Sequence, residues 1–369
     1  MTTAPLAGIR ILDLSRVLAG PLASMTLGDL GANIIKVERP NVGDDTRTWG
    51  PPFDNRGESA YYLSINRNKL SVALDYSKPA DLDIVRHLIT GADAVLDNFR
   101  PGTLERWGLD VNATLEQQPK LVWCTVTGFG PESTRLGYDF VVQAESGWMS
   151  ITGEPEGRPM KVGVALADVM AGKDTTIALL GALAYRGPAR PAADRRLFVS
   201  LAGSAVAALV NVAQNTLVSG TDAKRWGNAH PNLVPYQLFD AADRPIVIAV
   251  GTEEQWRNCV RALGLQELLT DPSLGSNAGR LVHRSRVVDA FEARLKQKPA
   301  IEWLEALAAA GVPAGVVRTV REALSRVEAS ALTGVDPAAT GSVRRPPPTL
   351  DEHGALIRQH GWRAFDHLA

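Results

Sequence analysis

The carboxylate of Asp168 lies in a segment of otherwise small and mostly apolar residues, Lys161 to Gly172. Burying an isolated carboxylate is costly, so this position calls for either a partner or a function. One structural explanation is that Asp168 is the N-cap of a helix and accepts backbone N–H bonds. There the helix dipole would keep the carboxylate ionised, which is the form a nucleophile needs. The segment therefore predicts a helix cap that is also suited to covalent catalysis.

Several common catalytic and cofactor motifs are absent from the sequence. No G-x-G-x-x-G follows a strand and no G-x-x-x-x-G-K-[ST] occurs, which argues against dinucleotide and P-loop sites. The histidines are scattered without H-E-x-x-H or other ligand spacing, so no metal site is expected. No G-x-S-x-G turn is present to carry a serine nucleophile. Cys124 and Cys259 are too few for a disulfide framework, which favours a reducing compartment.

Composition indicates an ordinary globular protein. The chain has 369 residues, more than a single hydrophobic core usually serves, so more than one domain is expected. Lysine and arginine total 39 against 40 acidic residues, and the net charge of -1 produces no field for nucleic acid or an anionic membrane. Without a signal peptide pattern or a long apolar run, the expected location is the cytoplasm.

Short apolar runs alternate with helical patterns in the first half of the chain, which is typical of a parallel sheet covered by helices. The predicted strands are Ile9–Leu14, Asn33–Val37, Ser71–Leu74, Ala94–Asp97 and Leu121–Thr127. The predicted helices are Ala19–Leu30, Asp81–Thr90 and Asp168–Tyr185. These elements predict an α/β fold with right-handed crossovers, which brings the residues after each strand to one edge of the sheet.

The domain boundaries follow from changes in pattern along the chain. Residues 1–200 are predicted to form a large Rossmann-like domain, completed by residues 320–369. A small and apolar run, Phe198 to Val218, predicts a buried linker helix, assigned to residues 201–224. A loop rich in Gly, Asn and Pro opens the remaining part, which has a predicted strand at Ile246–Val250. Residues 225–320 are therefore expected to form a smaller α/β domain.

Six segments in chain order resemble the signature blocks of family III CoA-transferases, the CaiB/BaiF family. They are Leu12–Pro21, Gly31–Glu38, Asp97–Gly102, Gly137–Phe140, Lys161–Gly172, and Gly227–Asn232 with the following Pro235-Tyr236. The order of the blocks is far more specific than any one block. The resemblance implies the CaiB/BaiF fold, an interlocked homodimer, and transfer of CoA from an acyl-CoA to a free carboxylic acid.

The resemblance also implies the catalytic residues. Asp168 is expected to attack the thioester and form a mixed anhydride, after which CoA attacks Asp168 to give an aspartyl-CoA thioester. Asp139 matches an acidic residue near that nucleophile. Gly227 and Asn228 match a loop that closes over the intermediate or donates N–H groups to it. Without the resemblance, that loop is equally well read as an ordinary interdomain turn.

CoA is expected as a substrate, with no tightly bound cofactor. Its phosphates need cations and its pantetheine arm needs apolar walls. The residues matched to CoA contacts in the family are Val17, Leu18, Arg39, Asn98, Phe99, Arg106 and Tyr138, with Lys69 as a weaker candidate. Taken singly, each basic residue among them is more often a solvated surface charge.

Two alternatives remain open on sequence grounds. An α-methylacyl-CoA racemase resembles the transferases throughout but needs two proton-transfer groups beside the substrate carbon. Those relatives have a histidine where this chain has Tyr138, and a tyrosine with an ordinary pKa near 10 is a poor base at neutral pH. The other alternative is a catalytically silent acyl-CoA-binding protein, which the retention of Asp168 disfavours.

Overall fold

The computed structural model describes residues 4–185, 189–326 and 343–368. It divides into two compact units. The large unit comprises the described residues within Met1–Met149, Lys161–Thr221 and Ala329–Ala369, and the second unit comprises those within Ser150–Met160 and Asp222–Glu328. The division differs from the predicted domain boundaries at Ser150–Met160, which groups with the second unit.

A six-stranded parallel sheet forms the centre of the large unit. Its strands are largely buried, as expected for a sheet covered on both faces, except for the partly exposed edge strand Arg196–Ser200. In chain order they are β1 (Arg10–Asp13), β2 (Asn33–Glu38), β3 (Lys69–Ala73), β4 (Ala94–Asp97), β5 (Val122–Thr127) and β6 (Arg196–Ser200). The spatial order is β3-β2-β1-β4-β5-β6, the doubly wound order of Rossmann-type sheets. The predicted α/β fold class is therefore confirmed.

Helices connect these strands and cover the sheet. They are α1 (Ala19–Asp29), α2 (Ala60–Leu63), α3 (Pro79–Thr90), α4 (Thr103–Arg106), α5 (Val111–Gln117), α6 (Asp139–Glu145), α7 (Trp148–Ile151) and α8 (Leu166–Ala184). Helices α1 and α8 pack tightly against each other, and a Cβ on Gly172 would lie 2.8 Å from the Ala19 carbonyl oxygen. The small residues of both helices thus bring the start of α8 close to the start of α1.

The predicted linker helix is wrong in two respects. Residues Phe198–Ser200 belong to β6, which pairs in parallel with β5, so the apolar run begins as a strand and not as a helix. After it come two short helices, α9 (Leu201–Ala207) and α10 (Val210–Ser219), bent by 70° relative to each other. Val210, with φ of 41°, breaks the helical path between them. Periodicity in a uniformly apolar run does not separate a buried strand from a helix.

The second unit has a small antiparallel sheet of three strands, in the order β7-β8-β9. The strands are β7 (Tyr236–Asp240), β8 (Pro245–Ala249) and β9 (Ala314–Val316). Its helices are α11 (Glu253–Ala262), α12 (Asn277–Val282), α13 (Arg284–Leu295), α14 (Ala300–Ala309) and α15 (Val320–Leu324). A separate apolar core, which includes Trp256 and Phe291, holds these elements together.

The described C-terminal residues pack on the rest of the large unit. Helix α16 (Gly354–His360) lies beside β3, and Asp351 accepts a hydrogen bond from the Ala73 amide at 2.7 Å. Trp362 donates its indole N–H to the Leu88 carbonyl at 2.8 Å. Residues 327–342 of the predicted completing segment lie outside the described residues.

Two absences apply to the described part of the chain. No single helix there is long and apolar enough to cross a bilayer, although α9 and α10 pass that test together as a bent pair. The same residues contain no group of three or more His, Cys, Asp or Glu side chains placed to hold a metal ion.

Candidate active site

The candidate site lies at the carboxyl ends of β1 and β4, where the strand order of the large sheet reverses direction. Ligands of open α/β sheets bind in the crevice outside such a switch point. The loop after β1 contains Arg16 to Leu18, and the loop after β4 contains Asn98 to Gly102. Parallel pairing of β1 with β4 brings these two loops side by side.

Two cavities meet at this edge of the sheet. The first has a volume of about 490 Å³ and is lined by Arg39 and Arg106, among others. The second has a volume of about 260 Å³ and contains Asp168 and Tyr138. Both are lined by Arg16, Phe99 and Arg100, so they adjoin at these three side chains. Together they can accept an elongated ligand with an anionic end in the first cavity and a reactive end beside Asp168.

Asp168 is the third residue of α8 and not its N-cap, which is Ala165. The predicted capping role is therefore wrong. Burial and the nearby Asp139 carboxylate raise the pKa of Asp168 to about 7. The expectation that the helix end keeps this carboxylate fully ionised is also wrong, because burial and the Asp139 charge favour the protonated form. A group with this pKa changes its charge near neutral pH.

Asp139 fills the capping position that sequence reasoning gave to Asp168. One of its oxygens accepts the Ala167 amide at 2.8 Å and the Asp168 amide at 3.4 Å. The other accepts the Gln143 amide at 2.7 Å, and Gln143 in turn accepts the Val162 N–H at 2.8 Å. These bonds hold the segment before α8 against α6. Asp139 thus both positions Asp168 and raises its pKa.

The loop after β1 is held in a strained conformation beside Asp168. Val17 has φ of 73°, which is a genuine outlier for a β-branched residue. Asn98 accepts the Arg16 N–H at 3.0 Å and donates to the Arg16 carbonyl at 2.7 Å. The buried Asp44 carboxylate accepts the Val17 N–H at 3.2 Å. Asn98 is therefore a positioning residue, and Val17 and Leu18 line the cavity that contains Asp168.

Tyr61 is a residue that sequence reasoning missed. Burial raises the pKa of its phenol to about 12, with further contributions from the charges of Asp168, Asp139 and Asp44. Its ring packs edge-on against Trp49 with the ring centroids 5.1 Å apart. Its position on α2, about a hundred residues before Asp168, leaves no local signal in the sequence.

The basic side chains of the first cavity differ in their partners. Arg39 and Arg16 both contact the Asp45 carboxylate, Arg16 at 3.3 Å. Arg106 donates to the Thr103 hydroxyl at 3.0 Å. Neither Arg100 nor Arg106 has a carboxylate partner among residues 4–185, 189–326 and 343–368. The cavity thus has guanidinium groups for an anionic ligand, and Arg16 and Arg100 are additions to the predicted set.

An aromatic cluster forms the apolar wall of the first cavity. Phe99 packs edge-on against Trp107, and Tyr76 stacks on Trp107 with the ring centroids 4.7 Å apart. The Tyr76 hydroxyl is buried and has no hydrogen-bond partner within the described residues. Phe99, predicted from the family match, therefore belongs to an aromatic wall suited to a planar ring or an alkyl arm.

Lys69 is not a phosphate ligand in this structure. Its side chain is 0% exposed, and its ammonium contacts Asp13 at 3.1 Å, the Pro21 carbonyl at 2.9 Å and Asn66 at 2.8 Å. An ammonium has three N–H donors, and these partners take all of them. The prediction was wrong because the first residue of a strand can point into the sheet's interior, where a lysine needs a buried partner.

The remaining predicted residues lie in different surroundings. Tyr138 is 58% exposed at the rim of the cavity that contains Asp168. Gly227 and Asn228 belong to the second unit, so their contribution to catalysis stays a prediction. Gly227 has φ of 58°, a conformation that favours glycine, and its N–H donates to the Gly153 carbonyl at 3.2 Å.

A protein-family model matches nearly the whole chain. The model described as CoA-transferase family III matches residues 6–358. The chain belongs to CoA-transferase family III. Family membership confirms the resemblance found in the sequence and makes the chain an enzyme that moves CoA between an acyl-CoA thioester and a carboxylate.

Two curated relatives carry names in which both acids are dicarboxylic. Succinyl-CoA:glutarate CoA-transferase of Mus musculus is 41% identical over 329 residues, which cover 88% of this chain and 74% of the relative. Succinate--glutarate CoA-transferase of Agrobacterium fabrum is 37% identical and covers 96% of this chain and 94% of the relative. Acetyl-CoA:oxalate CoA-transferase of Acetobacter aceti is 33% identical over 96% of this chain and 95% of the relative.

A solved structure of a CaiB/BaiF family protein from Brucella suis has the same fold. It superposes with a TM-score of 0.81 and 37% identity, and the match covers 97% of this chain and 99% of that one. The predicted CaiB/BaiF fold of the CoA-transferase is thereby confirmed.

Proposed function

We propose that this family III CoA-transferase acts through covalent catalysis at Asp168. The observation that carries the proposal is the position of this carboxylate in the second cavity, which adjoins the first cavity and its arginines at Phe99. A CoA thioester has a polyanionic nucleotide end, a long arm and a reactive carbonyl. The two adjoining cavities match that order.

The reaction divides into four displacements. The Asp168 carboxylate attacks the thioester carbonyl, the C–S bond breaks, and CoA leaves as thiolate from a mixed anhydride. The thiolate attacks the Asp168 carbonyl carbon, and the donor acid leaves as carboxylate. The acceptor carboxylate attacks this aspartyl-CoA thioester and expels the thiolate again. Attack of the thiolate on the acceptor carbonyl then forms the new acyl-CoA and regenerates Asp168.

Each displacement passes through an oxyanion that requires fixed N–H donors. Helix α1 begins at the cavity without a side-chain cap, so the N–H groups after Val17 are available for this role. The Asn98 and Asp44 bonds described above keep that loop rigid. We propose Leu18 as a donor, with the loop of Gly227 and Asn228 as a second source by analogy with the family.

The proposed substrates are small dicarboxylic acids and their CoA thioesters. The curated names of the mouse and Agrobacterium relatives support this class. The cavity of Asp168 supports it independently, because Arg135 lines this cavity and not the first one, and can attract a distal carboxylate. The Arg135 guanidinium lies over the Phe129 ring, 4.1 Å from its centroid, and pairs with Glu145.

Trapping with hydroxylamine tests the mechanism. Incubation of the protein with succinyl-CoA and hydroxylamine should convert Asp168 to a hydroxamate, detected by peptide mass spectrometry. Omission of succinyl-CoA is the control and should leave Asp168 unmodified. Exchange of deuterium at the carbon beside the thioester, without a hydroxamate, would instead support a racemase. Neither signal, in protein that binds CoA, would indicate a silent binding protein.

A substrate panel tests the proposed class. Succinyl-CoA as donor should give a higher kcat/KM with glutarate than with pentanoate, which has the same chain length and no distal carboxylate. Equal values for the two acceptors would contradict the dicarboxylate assignment and leave the covalent mechanism intact.

The pH dependence of kcat/KM should show the titration of Asp168. Its pKa is raised to about 7, so the ionised form that attacks the thioester is lost as pH falls below 7. Ionisation of Asp168 is nearly complete above about pH 8. Asp139→Asn removes the neighbouring charge and keeps an amide oxygen for the Ala167 N–H. The acid limb of the profile should therefore move to lower pH in this variant. Asp174→Asn, on the same helix, is the control and should leave the limb in place.

A homodimer is proposed for the assembly. Helix α10 has no buried residue in the single chain, and Val210, Leu217 and Val218 are 70%, 76% and 78% exposed. Such an apolar helix is suited to burial against a second copy. Sedimentation velocity, which gives the mass of the particle, should yield a dimer, and a monomer at micromolar concentration would contradict it.

We infer a cytoplasmic location and no tightly bound cofactor. Cys124 and Cys259 are both free and buried, and burial raises the pKa of each thiol to about 12, which fits a reducing compartment. CoA serves as a substrate that enters and leaves. Fractionation of the source cells and an absorbance spectrum of the purified protein test these two inferences.

A further inference from the structure

The Asp45 carboxylate lies between two arginines of the candidate CoA site. One of its oxygens contacts Arg39, and the other contacts Arg16 at 3.3 Å. Arg39 lines the first cavity, Asp45 lines the second, and Arg16 lines both. The three side chains are partly exposed, at 45%, 40% and 36% for Arg39, Asp45 and Arg16.

The backbone at Asp45 is anchored, so only its side chain has freedom to move. The preceding Asp44 is buried and forms an ion pair with Lys36 at 3.0 Å. The Asp44 carboxylate also accepts the Thr46 N–H at 3.0 Å and caps the 3₁₀ turn Asp45–Thr48. Rotation of the Asp45 side chain toward solvent would therefore expose both guanidinium groups without rearranging the loop.

We propose that Asp45 is an internal counter-ion that a phosphate group of CoA displaces from Arg39 and Arg16. This inference rests on the proposed function, because it takes CoA as the ligand of the first cavity. A phosphate carries more charge than a carboxylate and offers more acceptor oxygens to two guanidinium groups. Asp45 keeps the arginines paired in the empty site and lowers the net affinity for CoA, which assists release of the acyl-CoA product.

The proposal predicts that a substitution inside the binding site strengthens CoA binding, whereas such substitutions usually weaken it. Asp45→Asn removes a competing anion and should lower the Kd for CoA about two- to fivefold, the range expected for a partly exposed ion pair. Isothermal titration of the full-length protein with CoA measures this Kd. A residue that merely positioned the arginines would show the opposite change, because its loss would weaken binding.

Asp75→Asn provides a matched control in the same cavity. Asp75 lines the first cavity and accepts hydrogen bonds from the Ser77 N–H at 3.0 Å and its hydroxyl at 2.6 Å. Its nearest cation is Lys78 at 3.9 Å, so its removal releases no arginine. The Kd for CoA should change by less than twofold in this variant. An equal gain in both variants would show a general charge effect and overturn the proposal.

A second comparison locates the effect at the arginine pair. Arg39→Ala alone should raise the Kd for CoA. In the Arg39→Ala background, Asp45→Asn should give a smaller gain in CoA affinity than in the wild-type protein, because one of the two released guanidinium groups is missing.

Dephospho-CoA, which lacks the 3′-phosphate, identifies the phosphate that displaces Asp45. A gain that persists with dephospho-CoA assigns the displacing group to the diphosphate, and loss of the gain assigns it to the 3′-phosphate.

The outcomes separate this inference from the proposed function. Wild-type protein that does not bind CoA would contradict the proposed function itself. Wild-type binding together with an unchanged or weakened affinity in Asp45→Asn would overturn only the counter-ion role. Circular dichroism of each variant confirms that the fold is retained, and the partial exposure of Asp45 makes loss of folding unexpected.

Discussion

Replacement of Asp168 by alanine should abolish CoA transfer while CoA still binds. The expected loss in kcat is about a thousandfold or more, because no neighbouring group can form the anhydride in its place. Asp168→Asn should behave in the same way. Turnover is followed by the appearance of the acceptor acyl-CoA, and the Kd for CoA is measured by titration. The control is again Asp174→Asn, which should keep wild-type turnover.

The same substitutions should stabilise the fold at alkaline pH. The folded-state pKa of Asp168 is about 7, above the usual value of 3.8, so the folded protein holds this proton more tightly than the unfolded chain. The free energy of unfolding therefore decreases as pH rises from about 4 to 7 and stays lower above pH 7. Without the Asp168 carboxylate, this decrease in the free energy of unfolding does not occur. After discounting for partial solvent exposure, Asp168→Asn should gain about 1–2 kcal/mol at pH 8 and little at pH 4.

Thermal denaturation of both proteins at pH 5 and pH 8 measures this difference. A larger Tm for Asp168→Asn at pH 8, with a smaller difference at pH 5, is the expected pattern. Wild-type turnover in Asp168→Ala would refute the catalytic assignment. A lower Tm in both variants at pH 8 would contradict the desolvation of Asp168 and leave the assignment open to kinetics.

Loss of the Lys69 ammonium should destabilise the large unit strongly. Lys69 and Asp13 form an ion pair whose side chains are both 0% exposed. Burial would raise the pKa of Asp13, but Lys69 and Lys36, with the hydroxyls of Ser15 and Ser24, lower it to about 2. Burial lowers the pKa of Lys69 to about 8, against the opposing effect of Asp13. Both groups are therefore charged at neutral pH, and each depends on the other.

Lys69→Met should cost about 3–5 kcal/mol in the free energy of unfolding, the usual result of leaving one buried charge without its partner. Urea denaturation followed by tryptophan fluorescence measures the change. The double variant Asp13→Asn/Lys69→Met should lose less than the sum of the two single variants, because neither charge is then left alone. A solvent-exposed pair, Lys296 and Glu292 at 3.7 Å, provides the control, and Lys296→Met should cost less than about 1 kcal/mol.

The opposite result would support the prediction that Lys69 contacts CoA. Unchanged stability of Lys69→Met, together with a large rise in the Kd for CoA, would indicate a phosphate ligand. A neighbouring buried lysine, Lys36, extends these charges to the loop after β1. Lys36 donates to the Ser15 carbonyl at 2.7 Å and pairs with Asp44, which holds Val17. The buried charges thus support the strained loop that borders Asp168.

Local patterns were sufficient for five of the six strands of the large unit and for the helices α1, α3 and α8. Residues Ala94–Asp97 form β4 as predicted, and α1 ends one residue from its predicted boundary. These predictions hold because apolar alternation, glycine and proline act within a few residues. They did not extend to Phe198–Val218, where a strand and two bent helices share one apolar run. Pairing with β5, more than seventy residues earlier, decides that case.

The amino-acid sequence by itself determined the family, the α/β class and the identity of Asp168 as the residue to examine, because ordered motif blocks and an isolated carboxylate are visible without coordinates. Only the tertiary structure decided that Asp139 caps α8, that Lys69 is buried, and that Asp45 lies between two arginines. Capping, burial and charge pairing depend on which distant side chains meet. These contacts between distant side chains follow from the packing of strands and helices, and the pattern of residues along the chain does not predict them.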